Sequence, residues 1–363
     1  MKFKTNKQDL IKAIQVVQNI ISLRSTLPIL SHILLETHHD KLRLTTTDLD
    51  IGITCEMDVD IQEQGAITVP AKRFGDIIKD LPEEQIQINI KKNNLINIES
   101  GLCQFKLIGL NKEEFPHLPQ FQDKQTIILE QGLLKQMFAL TSFAVSYDET
   151  RYILNGILFR ILGNKLTLVA TDGKRLAIIE NPLKEYIEKE INIIVPIKTI
   201  HELNRNLKEE GQLSLVLGTN QVLFDLDGIS IISRLIEGEF PDYQQVIPPV
   251  SELRMKVNRE AFLLAIRRAA LLATPDYQAV RLELFKNKLV VSKSTPDIGE
   301  SREELVVEYS GKELLIGFNP NYLIDVLKNL SDEQIEFELT DPEKPGVIRL
   351  KNYLYIVLPM RLG

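Results

Sequence analysis

The chain has 363 residues, 44% apolar and 26% charged, with a net charge of −7 and no tryptophan. That length allows two or three domains, each able to bury its own core, and the composition is that of an ordinary globular chain. The longest apolar runs fall short of the ~20 residues of a membrane span, and the opening MKFKTNKQDL lacks a signal-peptide core, so the cytoplasm is the expected compartment and no membrane partner is expected.

From the N-terminus, a strand at Phe3 leads into NKQDLIKAIQVVQNI (residues 6–20). Leu10, Ile14 and Val17 recur there at helical spacing, and Asn6 stands where an N-cap accepts from free backbone N–H groups. ILLETHHDKLRLTTTD (33–48) alternates with period two about the turn HHDK, which reads as a hairpin. The stretch Val69–Leu118 then predicts a short helix after Pro70, an acidic turn and three alternating strands.

The same order returns twice. EQGLLKQMFALTSFA and NREAFLLAIRRAALL repeat the first helix, the latter with Asn258 at the N-cap position. GILFRILGNKLTLVATD and VRLELFKNKLVVSKST repeat the hairpin, about LGNK and FKNK. Val195–Tyr243 and the closing stretch from Gly317 repeat the second half. Pro70 and Pro196 are 126 apart, Pro196 and Asn319 are 123 apart, and Asp48 and Asp172 are 124 apart. Solenoid units run 20–50 residues, so this period marks a whole domain present three times, with expected bounds 1–121, 122–250 and 251–363. Each third holds two helix-plus-strands units, six in all.

Charge is unevenly shared. The six predicted helices (6–20, 71–80, 131–145, 197–208, 258–272 and 319–330) carry net +1, +1, +1, +2, +2 and 0, a total of +7. The rest of the chain therefore carries −14. Lys and Arg favour helix surfaces by propensity alone, which accounts for any one helix. Six together against an acidic remainder suit a polyanion facing one side of the molecule. None carries a base-reading set of Asn, Gln and Arg, so such contact is with phosphates, without sequence choice. A scaffold with no nucleic acid is the competing reading.

Nothing points to catalysis. Asp48 and Asp172 could pose as catalytic carboxylates, but they recur at equivalent strand ends, which favours a structural turn. The chain has no Walker A, GxGxxG, HExxH or GxSxG motif, and its five histidines show no ligand spacing. Cys55 and Cys103 are isolated and read as core or strand residues. No catalytic residue, cofactor or metal is expected.

The motifs RSTLPIL (Arg24–Leu30), TVPAKRF (Thr68–Phe74), RYILNGILF (Arg151–Phe159), VATDGKRLA (Val169–Ala177), EFPDY (Glu239–Tyr243), GFNPNYLIDVL (Gly317–Leu327) and VLPMRL (Val357–Leu362) follow one another in an order that resembles the bacterial sliding clamps, the beta subunits of DNA polymerase III. The resemblance covers all 363 residues. It implies an α+β fold of three repeated clamp domains, each with two helices on an inner face and two antiparallel four-stranded sheets outside. Two copies would close head to tail into a ring around double-stranded DNA, opened by an ATP-driven clamp loader. The ring would tether the replicative polymerase alpha subunit and other clamp-motif proteins.

The resemblance also assigns residues. DNA contacts carried over are Arg24, Lys72, Asp148, Tyr152, Ile153 and Lys198, although Asp148 and Ile153 depart from the usual polar or aromatic type. Arg24 taken alone is equally a solvated loop charge. A peptide cleft between the second and third domains would comprise Leu154, Thr171, Gly173, Lys174, Arg175, Leu176, Pro241, Val246, Tyr277, Asn319, Tyr322, Ile356, Val357, Leu358, Pro359, Met360, Arg361 and Leu362. Leu, Val, Met and Pro supply apolar wall there, and Arg175 and Arg361 would offer forks to peptide carboxylates or carbonyls. Gln245 replaces a common arginine on the rim, and Lys174 replaces a histidine of some relatives. An apolar end such as VLPMRLG reads as a docked wall rather than a frayed tail.

At the ring joint, Phe105 and Leu107 would meet Leu271 and Leu272 of the second copy. Leu102 and Gln104 are uncharged where basic residues are common, so Glu300, Glu303 and Glu304 would rely on Arg73 or be solvated. The expected joint is more apolar and less salt-sensitive than is usual in the family.

Overall fold

The computed structural model describes residues 1–21, 27–91, 93–121 and 126–362. Six helices stand where helical spacing predicts them: α1 (Lys7–Val17), α2 (Ala71–Asp80), α3 (Gln131–Thr141), α4 (Ile197–Asn206), α5 (Arg259–Ala270) and α6 (Pro320–Asn329). Asn6 caps α1 by accepting from the Gln8 N–H at 2.8 Å, and Asn258 caps α5 through the Ala261 N–H at 2.9 Å. Such caps satisfy donors that have no partner within the helix and contribute about 1 kcal/mol each.

Every named strand ladder is antiparallel, and the sheets run across the expected domain bounds. The chain divides into two compact units, residues 1–133 with 198–235, and residues 134–197 with 236–363. The middle repeat therefore contributes to both.

In the first unit, Thr126–Glu130, Gln212–Leu217, Gln221–Leu226 and Ile229–Arg234 of the middle repeat continue into Ile51–Asp58, Lys41–Thr47, His32–His38 and Ala66–Pro70 of the first, giving one eight-stranded sheet. The seam is the ladder that pairs Ile231 with Ile53. A five-stranded sheet completes the unit, in the order Asp60–Glu63, Lys2–Asn6, Gln85–Ile90, Leu95–Ser100, Cys103–Ile108. Its last strand is an edge.

In the second unit, Gly156–Thr171 and Arg175–Pro196 are followed by Tyr353–Val357, Gly346–Arg349, Gln334–Glu338 and Arg254–Asn258 in a six-stranded sheet. The expected LGNK hairpin is absorbed into the 16-residue strand Gly156–Thr171, which shifts register at Gly163, a glycine with φ of +61°. The four-stranded sheet has the order Gly299–Val306, Lys288–Thr295, Val280–Phe285, Leu314–Phe318.

Period-two strands and amphipathic helices bury matching faces. Leu10, Ile14 and Val17 of α1 are buried, and Thr46 closes the end of α1 by donating to Val17 O at 2.6 Å. Phe262 of α5 packs with Phe337 at a centroid distance of 6.3 Å, and Phe337 packs with Phe318 at 5.7 Å. All three rings are fully buried. Cys55 is buried as expected, and burial followed by the neighbouring Glu56 charge pushes its thiol up to about 11. Replacing Phe337 with alanine removes the ring shared by α5 and two strands. It should destabilise the protein by about 3–5 kcal/mol, measured as a lowered urea midpoint; an unchanged midpoint would refute this packing.

Candidate functional site

A cavity of about 370 Å³ opens in the second unit. The structure brings together around it Leu154, Thr171, Gly173, Lys174, Arg175, Leu176, Pro241, Val246, Ile356 and Leu358, all of them expected cleft residues. Asp242, Tyr243 and Pro345 line it as well. The first two lie inside the EFPDY motif and were within reach of sequence reasoning; Pro345 sits in an irregular turn with no signal of its own. Beneath the cavity, Leu158, Val169, Leu176, Ile194, Val347 and Ile356 form a buried cluster.

One wall is the turn Thr171–Arg175, closed by side chains on backbone. Asp172 Oδ1 accepts from the N–H groups of Lys174 (2.8 Å) and Arg175 (3.0 Å). Thr171 Oγ1 accepts from Gly173 N–H at 3.0 Å and donates to Arg175 O at 2.6 Å. Gly173 has a φ of +84°, a region that disfavours other residues. The expected structural role of Asp172 is what these bonds describe. Asp48 does the same in the first repeat, accepting from Asp50 N–H (3.0 Å) and Ile51 N–H (2.8 Å).

The Arg175 side chain corrects an expectation. Its guanidinium is not a fork held out to a ligand; the side chain is 9% exposed and its nitrogens are committed within the chain. Nε donates to Asp172 Oδ2 at 3.0 Å, Nη1 donates to Asp325 Oδ2 at 2.7 Å, and Nη2 donates to Phe143 O. The cation also lies over the rings of Tyr322 (4.5 Å) and Phe143 (5.5 Å). Burial opposes its charge, but the Asp325 bond and the surrounding negative groups more than offset this and raise its pKa. A buried guanidinium needs such partners, and each of its three nitrogens has one.

The tail is held down. Leu358 N–H donates to Lys174 O at 2.9 Å, and Met360 N–H donates to Gly317 O at 2.8 Å. A Cβ on Gly317 would lie 2.6 Å from Leu362 Cδ2 and 2.8 Å from Met360 O, so glycine is what lets the tail approach. The remaining expected residues do not line the cavity. Val357 is buried opposite Arg175 in the ladder, and Tyr322 lies under the guanidinium. Asn319 caps α6 through the Asn321 N–H at 3.0 Å. Tyr277 is exposed in the loop after α5. Pro359 and Met360 carry the tail along Gly317, Arg361 is exposed, and Leu362 covers the glycine.

The expected DNA contacts that the structure describes divide between the two units. Arg24 lies outside the described residues. Lys72 is exposed in the first turn of α2, beside a smaller groove between α1 and α2 that Lys79, Gln15 and Gln18 also line. Lys198, in the first turn of α4, is ion-paired with Asp48. Asp148 caps a 3-10 segment, Glu149–Leu154, accepting from Thr150 Oγ1 (2.7 Å) and Thr150 N–H (3.0 Å), which together hold its carboxyl below the usual range. Its charge serves the local turn and would repel a phosphate. Tyr152 is exposed, whereas Ile153 packs against the buried cluster under the cleft and contributes apolar support there.

At the expected joint, Phe105 is partly exposed on the edge strand, Leu107 is half-buried, and Leu271 is 82% exposed at the end of α5. Leu272 is half-buried, its carbonyl accepting from Thr295 Oγ1 at 2.5 Å. Arg73 is exposed on α2. Two of the three acidic residues at that edge, Glu303 and Glu304, are paired within the chain. Arg268 binds Glu303 through two bonds of 2.8 and 2.5 Å, and Glu304 takes Arg302 at 2.8 Å with Lys288 at 3.7 Å. Among the described residues, no group of three or more His, Cys, Asp or Glu is placed to hold a metal, and no helix is long and apolar enough to cross a membrane.

Comparison with known proteins accounts for the whole length. The family models of the DNA polymerase III beta subunit match in order: the N-terminal domain over residues 1–119, the central domain over 128–242 and the C-terminal domain over 244–361. The beta sliding clamp of Chlamydia pneumoniae is 33% identical over 365 residues, covering 100% of this chain and 99% of that protein. That of Escherichia coli (strain K12) is 34% identical over 368 residues, covering 100% of both. The crystal structure of the Bacillus subtilis DNA polymerase sliding clamp is similar at a TM-score of 0.96 and 33% identity, and that of the Pseudomonas aeruginosa DNA polymerase III subunit beta at 0.95 and 34%, each covering 100% of both chains. The site geometry and these matches together show that the chain belongs to the DNA polymerase III beta subunit family, the bacterial sliding clamps.

Proposed function

We propose that the protein is a processivity factor of DNA replication: a non-catalytic ring that encircles duplex DNA without sequence specificity and tethers the replicative polymerase alpha subunit. The ring consists of two copies joined head to tail, each of three clamp domains bounded at 1–121, 122–250 and 251–363, and a clamp loader opens it in the cytoplasm. The observation that carries this reading is the tail-backed apolar cavity of about 370 Å³ in a chain matched by clamp-family models along its length. An apolar pocket with a few fixed polar groups suits a short peptide segment. Cleft binding recruits the partner, while topology rather than affinity keeps the ring on DNA.

Retention on circles tests the tether. The loaded protein should stay on a nicked circle and be lost when the circle is linearised. Equal retention on linear DNA with unblocked ends would indicate ordinary surface binding and overturn the ring.

The tail tests the cleft. Gly317→Val should push Leu362 and the Met360 carbonyl off the strand, and removal of residues 359–363 should do the same more completely. Both should weaken alpha-subunit binding at least ~10-fold, with the dimer mass unchanged in solution. Full polymerase stimulation by the truncated protein would exclude the tail from the site.

The internal pairing of Glu303 and Glu304 bears on the joint. Exposed pairs already satisfied within one copy gain little from a second, so the apolar residues carry the association. The dimer dissociation constant should change less than about threefold between ~0.1 and ~0.5 M salt, measured by sedimentation. A steep rise with salt would show that charges across the joint hold the ring.

A further inference from the structure

The wall turn of the cleft has an internal counterpart, and the difference between the two is informative. Asp48 and Asp172 each close their turn with Oδ1 on the backbone N–H groups two and three residues ahead. Each also holds a cation with Oδ2, but the cation differs. Asp48 takes Lys198 from the first turn of α4. The α6 residue that matches Lys198, 123 positions on, is Asn321, which has no charge. Asp172 takes Arg175 from its own turn, and α6 supplies a carboxylate, Asp325, and an aromatic face, Tyr322.

The first junction is thus one lysine to one aspartate. The second is an arginine between two aspartates, stacked on Tyr322 and Phe143. The planar fork of Arg175 serves both carboxylates and a carbonyl at once, each from a different nitrogen. The arrangement fixes the wall of the cavity. Asp172 binds Arg175 with one oxygen and the turn backbone with the other, so movement of the guanidinium is felt at Lys174. Lys174 lines the cavity, and its carbonyl takes the Leu358 N–H at the start of the tail. Asp325 itself does not line the cavity.

We propose that Asp325 of α6 is a positioning residue for peptide binding: by anchoring Arg175 it sets the wall Thr171–Leu176 and, through Lys174, the start of the tail. This rests on the reading of the cavity as a peptide site. Without Asp325, the guanidinium is left with one carboxylate and swings toward solvent or drags Asp172 from its turn. Either movement reshapes the wall without removing any group that touches the ligand.

The test uses the full-length protein and the purified polymerase alpha subunit as probe, with binding measured by surface plasmon resonance. Asp325→Ala should weaken binding about tenfold, while the dimer mass stays at the unsubstituted value. Asp325→Glu, which can restore the ion pair, should return the affinity to within about threefold. Val246→Asp, which places a charge directly in the cavity mouth, is the control for the site and should abolish binding. If Val246→Asp abolishes binding and Asp325→Ala leaves it unchanged, Asp325 is not a positioning residue, though the cleft stands. Should both variants bind normally, the cleft reading itself fails and the proposal falls with it. If Asp325→Ala lowers the thermal midpoint, Asp325→Asn, which keeps an acceptor in place without the charge, decides: unchanged affinity would overturn the proposal and a loss reversed in the Glu variant would support it.

Discussion

The ladder between Arg175–Ile179 and Tyr353–Val357 is the contact on which the cleft depends. It pairs Arg175 with Val357, Leu176 with Ile356 and Ile179 with Tyr353, joining the middle of the chain to its last strand. Backbone pairing of this kind fixes register, since a slip of one residue would turn every side chain to the opposite face. In this register Leu176 and Ile356 lie directly opposite each other, both buried and both lining the cavity. The wall turn precedes one strand and the tail follows the other, so a single ladder places both sides of the pocket. The cleft is therefore a consequence of how two repeats share a sheet.

Sharing also explains the unit boundaries. A strand at the edge of a sheet leaves backbone donors and acceptors unpaired. The middle repeat has such edges at both ends, and each is covered by a neighbour: Ile229–Arg234 by Ile51–Asp58, and Arg175–Pro196 by Tyr353–Val357. Two further edges lie at Cys103–Ile108 and Gly299–Val306. Leu102, Ile108 and Val306, in or beside those strands, are strongly exposed apolar residues. On the proposed reading, a second copy would cover them by the same means that joins repeats within one chain.

Much of this was legible in the residues. The helices were readable because Leu10, Ile14 and Val17, and their repeats, follow helical spacing, and the caps because asparagine preceded them. Most of the cavity lining followed from a family resemblance carried by short motifs. Partnership across long separations was not readable. Arg175 and Asp325 are 150 residues apart, as are Lys198 and Asp48, and nothing local in either stretch reports the other. Hence Arg175 looked like a free fork. The direction of Ile153 was not readable for a related reason: a motif position carries no information about which way the side chain turns, and here it packs, partly buried, against the apolar cluster.

The same pairing refines the electrostatics. Counting helix charges treats every lysine and arginine as available, but Lys12 is paired with Asp9, Lys198 with Asp48, Arg205 with Glu202 and Arg268 with Glu303. On α2, by contrast, Lys72, Arg73 and Lys79 have no ionic partner among the described residues. Each phosphate neutralised by a free cation adds to affinity and to its salt dependence. A helix surface with many free cations would grip the backbone firmly, and one in which most are neutralised would grip it weakly. With a net charge of −7 and four of its helix cations already paired, the chain lies between the two cases. For a ring that must move along its substrate the weaker grip is the favourable one: weak, register-free contacts let the duplex pass, and closure of the ring supplies the persistence that contact energy does not.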